Sequence, residues 1–534
     1  MMAKKDGAYI GPFWGAPLRY STGRDHLGMQ ATSVATYSFL VPGLTNLTQR
    51  ARYYSYYPWL VEQYAQEKRS SSVTEFNNFM RRGELLYAFA SIMIDSEQRS
   101  VVGSLFVRTY LKENGTPSNS TSINLAEYAD IEKGKKTYWQ LSGGGFTQYY
   151  MGPLIDIGIL ARAKNHRIPV ATDVGREIAK YFEHSIGNEA KEVILSSIRS
   201  GTIRYSDLSK HLPSILPDRI DATGQEALML LQQLIPPATD LRGINRREVI
   251  LSYLSYLNQD SISDGQYDLP RAIYYREGNN KNSLSFPESS GSLYGWRFYQ
   301  ISEYVHYALE YIMFYLLKFL HEEGGWVTIE QCIDIIQKGI LKEVNNIIPK
   351  LKGITKTTPL SSVSTKLRAY NKVSRSDKGS PEWLMPSRTE YDENNLARAL
   401  MLLLAIYTRH EEELDELFHY GMTRNIIREK SFWDILKFCS KELETPLNSF
   451  LYKLVQRHII SCHLDVSYRK MRGDMKNTLK FQYENASLSG LEIVNPVMTS
   501  PRILSVLNFI KDLGLISKEN KPTKNGLGRI NDGT

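Results

Sequence analysis

Apolar positions recur at helical spacing through most of this chain. Near the C-terminus Ile503, Val506, Leu507 and Ile510 follow the i, i+3, i+4, i+7 pattern of one helical face. Pro501 suits the first turn of that helix and Gly514 a left-handed stop. Leu515 and Ile516 then start a short strand, and Lys518 to Lys524 are placed to form a hairpin tip. Farther up, Tyr53, Tyr56, Tyr57, Leu60, Val61 and Tyr64 share a helical stripe, with Thr45 as its cap and Pro58 as a kink or restart. Residues 185–350 read as helical, with Asn245 capping one helix and a long helix over Trp296 to His321. Helices resume at Asp392 to His410 and continue to about Met471. Strand-like alternation is confined to short runs such as Thr478 to Tyr483. Tyr311 to Leu317 and Ala399 to Tyr407 are uncharged for seven and nine residues, against the roughly 20 a membrane span needs. The pattern predicts a mainly α, multi-domain protein with one or two winged-helix modules.

Part of the C-terminal pattern occurs twice. Leu154 to Leu160 parallels Ile510 to Ile516, a basic turn with Arg162, Lys164, His166 and Arg167 follows, and Thr172-Asp173-Val174-Gly175 parallels Thr523 to Gly526. Gly152-Pro153 is expected to break the first helix of the earlier copy. Residues 112–123 read as a polar loop and Glu277 to Ser292 as a Gly/Asn/Ser-rich one. Lys352 to Ser380 carries Lys352, Lys356, Lys366, Arg368, Lys372, Arg375 and Lys378 against the single acid Asp377. That composition fits a flexible arm contacting phosphate, or a solvated linker. The expected organisation is an N-terminal helical domain (1–112), a winged-helix-like unit (124–197) and a central helical domain (198–350). A basic flexible linker (351–385), a helical domain (386–485) and an independent C-terminal winged helix (490–534) follow.

The C-terminal spacing resembles the recognition helix and wing of the MarR and PadR regulators, Leu-x-x-Leu/Ile-x-x-x-Gly-Leu-Ile, a wing, then Thr-x-x-Gly. The resemblance implies a helix in the major groove of double-stranded DNA and a wing on phosphate. Asn508 and Lys511 would then face bases, with Lys518, Lys521, Lys524 and Arg529 supplying charge. The internal parallel adds Arg162, Lys164 and Arg167. Arg50 and Arg52, beside the tyrosine stripe, are further phosphate candidates, although that spacing equally describes core packing. Winged helices also dock proteins, and Asp512 and Glu519 dilute the basic face, so both roles stay open. A second resemblance rests on Leu27-Gly28, Pro42 through Tyr54 (Pro-Gly-Leu-Thr-x-x-Thr-x-Arg-x-Arg-Tyr-Tyr) and Gly144 through Leu154. These runs are similar to a family of bacterial proteins encoded in anti-phage defence islands. That similarity implies a defence-complex subunit and carries over no catalytic residue.

Composition changes this picture little. Of 534 residues, 65 Lys+Arg exceed 57 Asp+Glu by eight, which permits a polyanionic partner without demanding one. Cys332, Cys439 and Cys462 are scattered, and the N-terminus lacks an apolar signal core, so a reducing cytoplasm is expected. Nucleotide-loop, dinucleotide, zinc-protease and hydrolase motifs are absent, and Gly143-Gly144-Gly145 lacks a following Gly-Lys-Ser/Thr. Glu519-Asn520-Lys521 has a nuclease-type spacing but no buried strand to hold a metal. His458 and Cys462 are one helical turn apart, yet His463 points about 100° round the helix, which favours structural histidines. No catalytic residue, metal or cofactor is therefore assigned. The expected function is a non-enzymatic nucleic-acid-binding or scaffolding subunit that recruits an ATPase, helicase or nuclease. The alternatives are a nuclease with a dispersed metal-dependent site, or a kleisin-like subunit of an SMC-type complex.

Overall fold

The computed structural model describes residues 19–20, 25–67, 71–131, 137–237, 243–286, 291–348, 351–371, 374–427, 430–474 and 476–531. The protein is mainly α, and no strand among the described residues exceeds four residues. None of the described helices is long and apolar enough to cross a membrane. The chain divides into two compact units. One comprises Tyr37–Trp296 with Ser500–Thr534, and the other Arg297–Thr499 with the described residues up to Thr36.

In the first unit, helix Tyr53–Gln66 packs on helices Val73–Ile94 and Asp173–Ser200. Residues Tyr53 to Leu60 are buried on every side, so the tyrosine stripe is part of a wholly interior helix. Burying a phenol requires a partner for its hydroxyl. Tyr54 Oη donates to Gly43 O (2.6 Å), Tyr56 Oη to Gly83 O (2.8 Å) and Tyr57 Oη to Glu84 Oε1 (2.8 Å), while Tyr53 Oη accepts from Val102 N (2.9 Å). The helix runs on through Pro58. Thr45 does not cap it; the Thr45 amide instead donates to Thr48 Oγ1 in a tight turn upstream. Asn245 lies inside helix Ile244–Gln259 and donates to Phe39 O.

In the second unit, helix Ile329–Ile347 packs along helix Glu393–His410. The expected long helix extends over Gly291–Glu323, and its residues from Arg297 onward belong to this unit. Strand Phe481–Glu484 forms a hairpin with Ser487–Gly490 through Asn485 and Ala486, both at positive φ, and Val327–Thr328 pairs on the other side of Ser487–Gly490. The segment expected as a flexible basic linker is a correction. It contains helices Leu360–Leu367 and Pro381–Leu384, because Leu360, Val363 and Leu367 recur at i, i+3, i+7 and are buried with Leu384. Several of its cations are used internally: Arg368 pairs with Glu411 (2.8 Å), Arg375 with Glu382 (3.4 Å), and Lys366 Nζ donates to Lys352 O (2.7 Å). Lys372 lies outside the described residues.

Candidate nucleic-acid interface

The two parallel sequence segments fold alike. In the first, helix Met151–Asp156 stops at Gly158 (φ +76°), an antiparallel hairpin pairs Leu160–Arg162 with Pro169–Ala171, and helix Asp173–Ser200 follows. In the second, helix Ile503–Asp512 stops at Gly514 (φ +71°), a single bridge joins Ile516 to Pro522, and helix Lys524–Asn531 follows. Their hydrogen bonds match in pairs. Ile159 N donates to Leu154 O (2.9 Å) as Leu515 N does to Ile510 O (2.8 Å), and Thr172 N to Ile159 O (3.1 Å) as Thr523 N does to Leu515 O (2.9 Å). The threonine hydroxyls donate to Gly158 O (2.7 Å) and Gly514 O (2.8 Å), and accept from Gly175 N (3.0 Å) and Gly526 N (3.3 Å). Each threonine therefore caps the outgoing helix and ties it to the incoming stop. The glycines are required by close approach: a Cβ at Gly175 would lie 2.1 Å from Ile159 O, and one at Gly526 2.2 Å from Leu515 O.

The helix of the first copy is not broken at Gly152-Pro153. A π-type turn over Phe146–Tyr150 leads directly into Met151–Asp156, and wider turns of this kind absorb a proline's missing donor. Among the described residues the 160–171 hairpin pairs with no third strand, since Ser122–Asn124 pairs with Thr202–Arg204.

The copies differ in how their cations are used. Arg162, Lys164 and Arg167 are exposed and make no hydrogen bond or ion pair among the described residues. No acid lies between Ile157 and Thr172. In the C-terminal copy only Lys518, Lys524 and the half-buried Arg529 are similarly unengaged. Lys521 Nζ donates to Leu257 O (3.1 Å) and Asp260 O (2.8 Å), and Lys511 Nζ to Lys518 O (3.0 Å) and Asn520 Oδ1 (3.3 Å). The expected recognition helix is itself seated in the core: Ile503, Ser505, Val506, Leu507, Phe509 and Ile510 are buried and Asn508 is half-buried. Only Leu504 and Lys511 along it are exposed, which leaves a narrow face for reading bases.

Arg50 and Arg52 are corrections for the same reason. Arg52 has no solvent exposure; it pairs with Glu226 (3.3 Å) and donates to Ser185 Oγ (2.8 Å) and Leu216 O (3.3 Å). Arg50 grips Asp512 through Nε (3.0 Å) and Nη2 (3.1 Å), and Ala51 N adds a third bond to that carboxylate (3.0 Å). Burial works against the Arg50 charge, but the Asp512 carboxylate outweighs it and holds the guanidinium above its ordinary pKa. The surrounding run seats the C-terminal helix: Asn46 Nδ2 donates to Ser500 O (3.2 Å), Ser505 Oγ to Thr45 O (2.6 Å), and Tyr54 meets Phe509 edge-on at 4.9 Å.

The glycine run is explained by a residue that sequence reasoning missed. Glu84 is buried and accepts from Tyr57 Oη, Tyr138 Oη, Gly145 N (3.0 Å) and Phe146 N. Burial raises its pKa, against the pull of those four donors. A side chain at Gly144, which has φ +66°, would come within 2.7 Å of Glu84 Oε2. The available signal was an acid at the head of the uncharged run from Leu85 to Ile94.

Among the described residues no group of three or more His, Cys, Asp or Glu is arranged to hold a metal ion. His463 uses both ring nitrogens on backbone, Nδ1 with His26 O (3.0 Å) and Nε2 accepting from Lys480 N (2.9 Å), and burial lowers its pKa to about 4. Cys462 Sγ donates to Leu27 O (3.0 Å), and His458 packs on Phe438 at 4.6 Å. No family model matches the chain, and neither a curated protein nor a solved structure matches it significantly.

Proposed function

We propose that this chain is a non-enzymatic nucleic-acid-binding subunit that grips DNA phosphates through the 160–171 hairpin. The observation that carries this reading is the contrast in cation use. Three exposed, unengaged cations sit within six residues on a hairpin without acids, whereas Arg50, Arg52, Lys511 and Lys521 are consumed internally. A short hairpin tied at both ends presents charge in a fixed direction, as phosphate contact requires. The C-terminal copy fixes the last helices in place and contributes Lys518, Lys524 and Arg529 as secondary contacts. The sequence resemblance is what supports reading it as a subunit of an anti-phage defence complex, in which it would recruit an ATPase, helicase or nuclease to the DNA it holds.

The test is fluorescence anisotropy of the full chain with a labelled duplex of about 20 base pairs. Binding should be indifferent to sequence and weaken with salt, at roughly 0.9 log units per log unit of salt for each phosphate neutralised. The variant R162E/K164E/R167E should lose about a hundredfold in affinity at physiological salt. Unchanged binding by that variant sinks the reading.

A further inference from the structure

Beside the hairpin lies a cleft of about 360 Å³, at the small end of the roughly 300–1,000 Å³ typical of small-ligand sites. One wall is the C-terminal half of helix Tyr53–Gln66, through Val61, Tyr64 and Ala65; the other is the hairpin's outgoing strand, from Ile168 to Ala171. Polar residues among these apolar walls are Glu62, Tyr64, Ser71, His166 and Arg176; Arg176 also holds Ala171 O (2.8 Å) and Asp173, and Glu62 Oε1 accepts from Gln66 Nε2 (3.3 Å). His166 belongs to the exposed hairpin tip that carries Lys164 and Arg167. His166 lines the cleft and sits next to Arg167 and two residues from Lys164, so phosphates resting on those cations lie close along the chain to the cleft's rim.

Apolar walls with acceptors and donors at intervals suit a flat heteroaromatic ring with polar edges. The flanking cations, unbalanced by acids on the hairpin, select one attached to a polyanion. We infer that the cleft receives an unpaired nucleobase of a DNA strand held on the hairpin, so that the preferred ligand has single-stranded character. This rests on the phosphate role proposed above. Bases in an uninterrupted duplex are stacked and paired, and reach such a cleft only after being extruded at a cost in unstacking. A single strand offers them without that cost, and burying a base against apolar or aromatic walls strengthens binding independently of sequence.

Three labelled probes of about 20 nucleotides decide it: a single strand, the same strand made abasic, and the blunt duplex. The full chain should bind the intact strand about tenfold more tightly than the abasic one, although their phosphates are identical. Ala65→Trp, at an exposed position, should fill the cleft and lower the intact strand's affinity to the abasic level. Val170→Trp, on the opposite wall, provides the same test should the first variant misfold. Equal binding of intact and abasic strands, with R162E/K164E/R167E abolishing both, overturns the cleft and leaves the hairpin reading in place. Binding to none of the probes overturns both.

Discussion

Asp156 and Asp512 each sit two residues before the glycine that ends their helix, in copies of one local fold. Asp156 is exposed, whereas Asp512 is about 10% exposed and locked to Arg50 and to the Ala51 amide. The same division runs through the cations. Arg162, Lys164 and Arg167 face solvent unengaged, while Lys511 and Lys521 are spent on neighbouring carbonyl and amide oxygens. Backbone geometry is thus a poor guide to role: it fixes where a hairpin points, and the surrounding packing decides whether its charges are available. In the first copy the three turn cations all face solvent, whereas the second spends Lys511 and Lys521 on neighbouring oxygens and leaves Lys518 and Lys524 exposed.

The largest expected contrast is in stability. Asp512→Ala leaves the Arg50 guanidinium mostly buried without its carboxylate and should cost about 3 kcal/mol, whereas Asp156→Ala should stay within about 0.5 kcal/mol. Urea unfolding measures both, and equal costs would erase the distinction between the copies. Next come the glycines, where the copies should agree. Gly175→Ala and Gly526→Ala should each cost about 2 kcal/mol, because the new methyl meets a carbonyl oxygen that cannot retreat without moving backbone. Tolerance at one site alone would show that the two stops differ in geometry. Thr172→Val and Thr523→Val should cost about 1 kcal/mol each, read as loss of amide protection in the first turn of the following helix. Smallest is the secondary contact: K518E/K524E should weaken duplex binding by roughly threefold, and a loss matching that of the hairpin variant would make the copies functional equals.

Much of this was legible in the sequence. The paired Asp-x-Gly and Thr-x-x-Gly runs announced the two copies because threonine caps and glycine stops are local devices that depend on a few consecutive residues. The fates of Arg50 and Arg52 were not legible. Their partners Asp512 and Glu226 lie 462 and 174 residues away, and no local pattern distinguishes a paired guanidinium from a free one. The helix at Leu360–Leu367 was hidden by its Ser, Thr and Lys content although its apolar spacing is regular. Glu84 escaped notice because a buried carboxylate is recognised by its donors, and these come from residues 57, 138, 145 and 146.

The central claim is that the 160–171 hairpin, rather than the C-terminal one, carries the phosphate contacts. Its most direct test is the salt dependence of duplex affinity for wild type, R162E/K164E/R167E and K518E/K521E/K524E side by side. Three lost contacts at roughly 0.9 each should flatten the slope of log affinity against log salt by about 2.7 for the hairpin variant, and the two secondary contacts of Lys518 and Lys524 by no more than about 1.8 for the C-terminal one. The reverse ranking, with the C-terminal variant flattening the slope and the hairpin variant leaving it unchanged, would contradict the account.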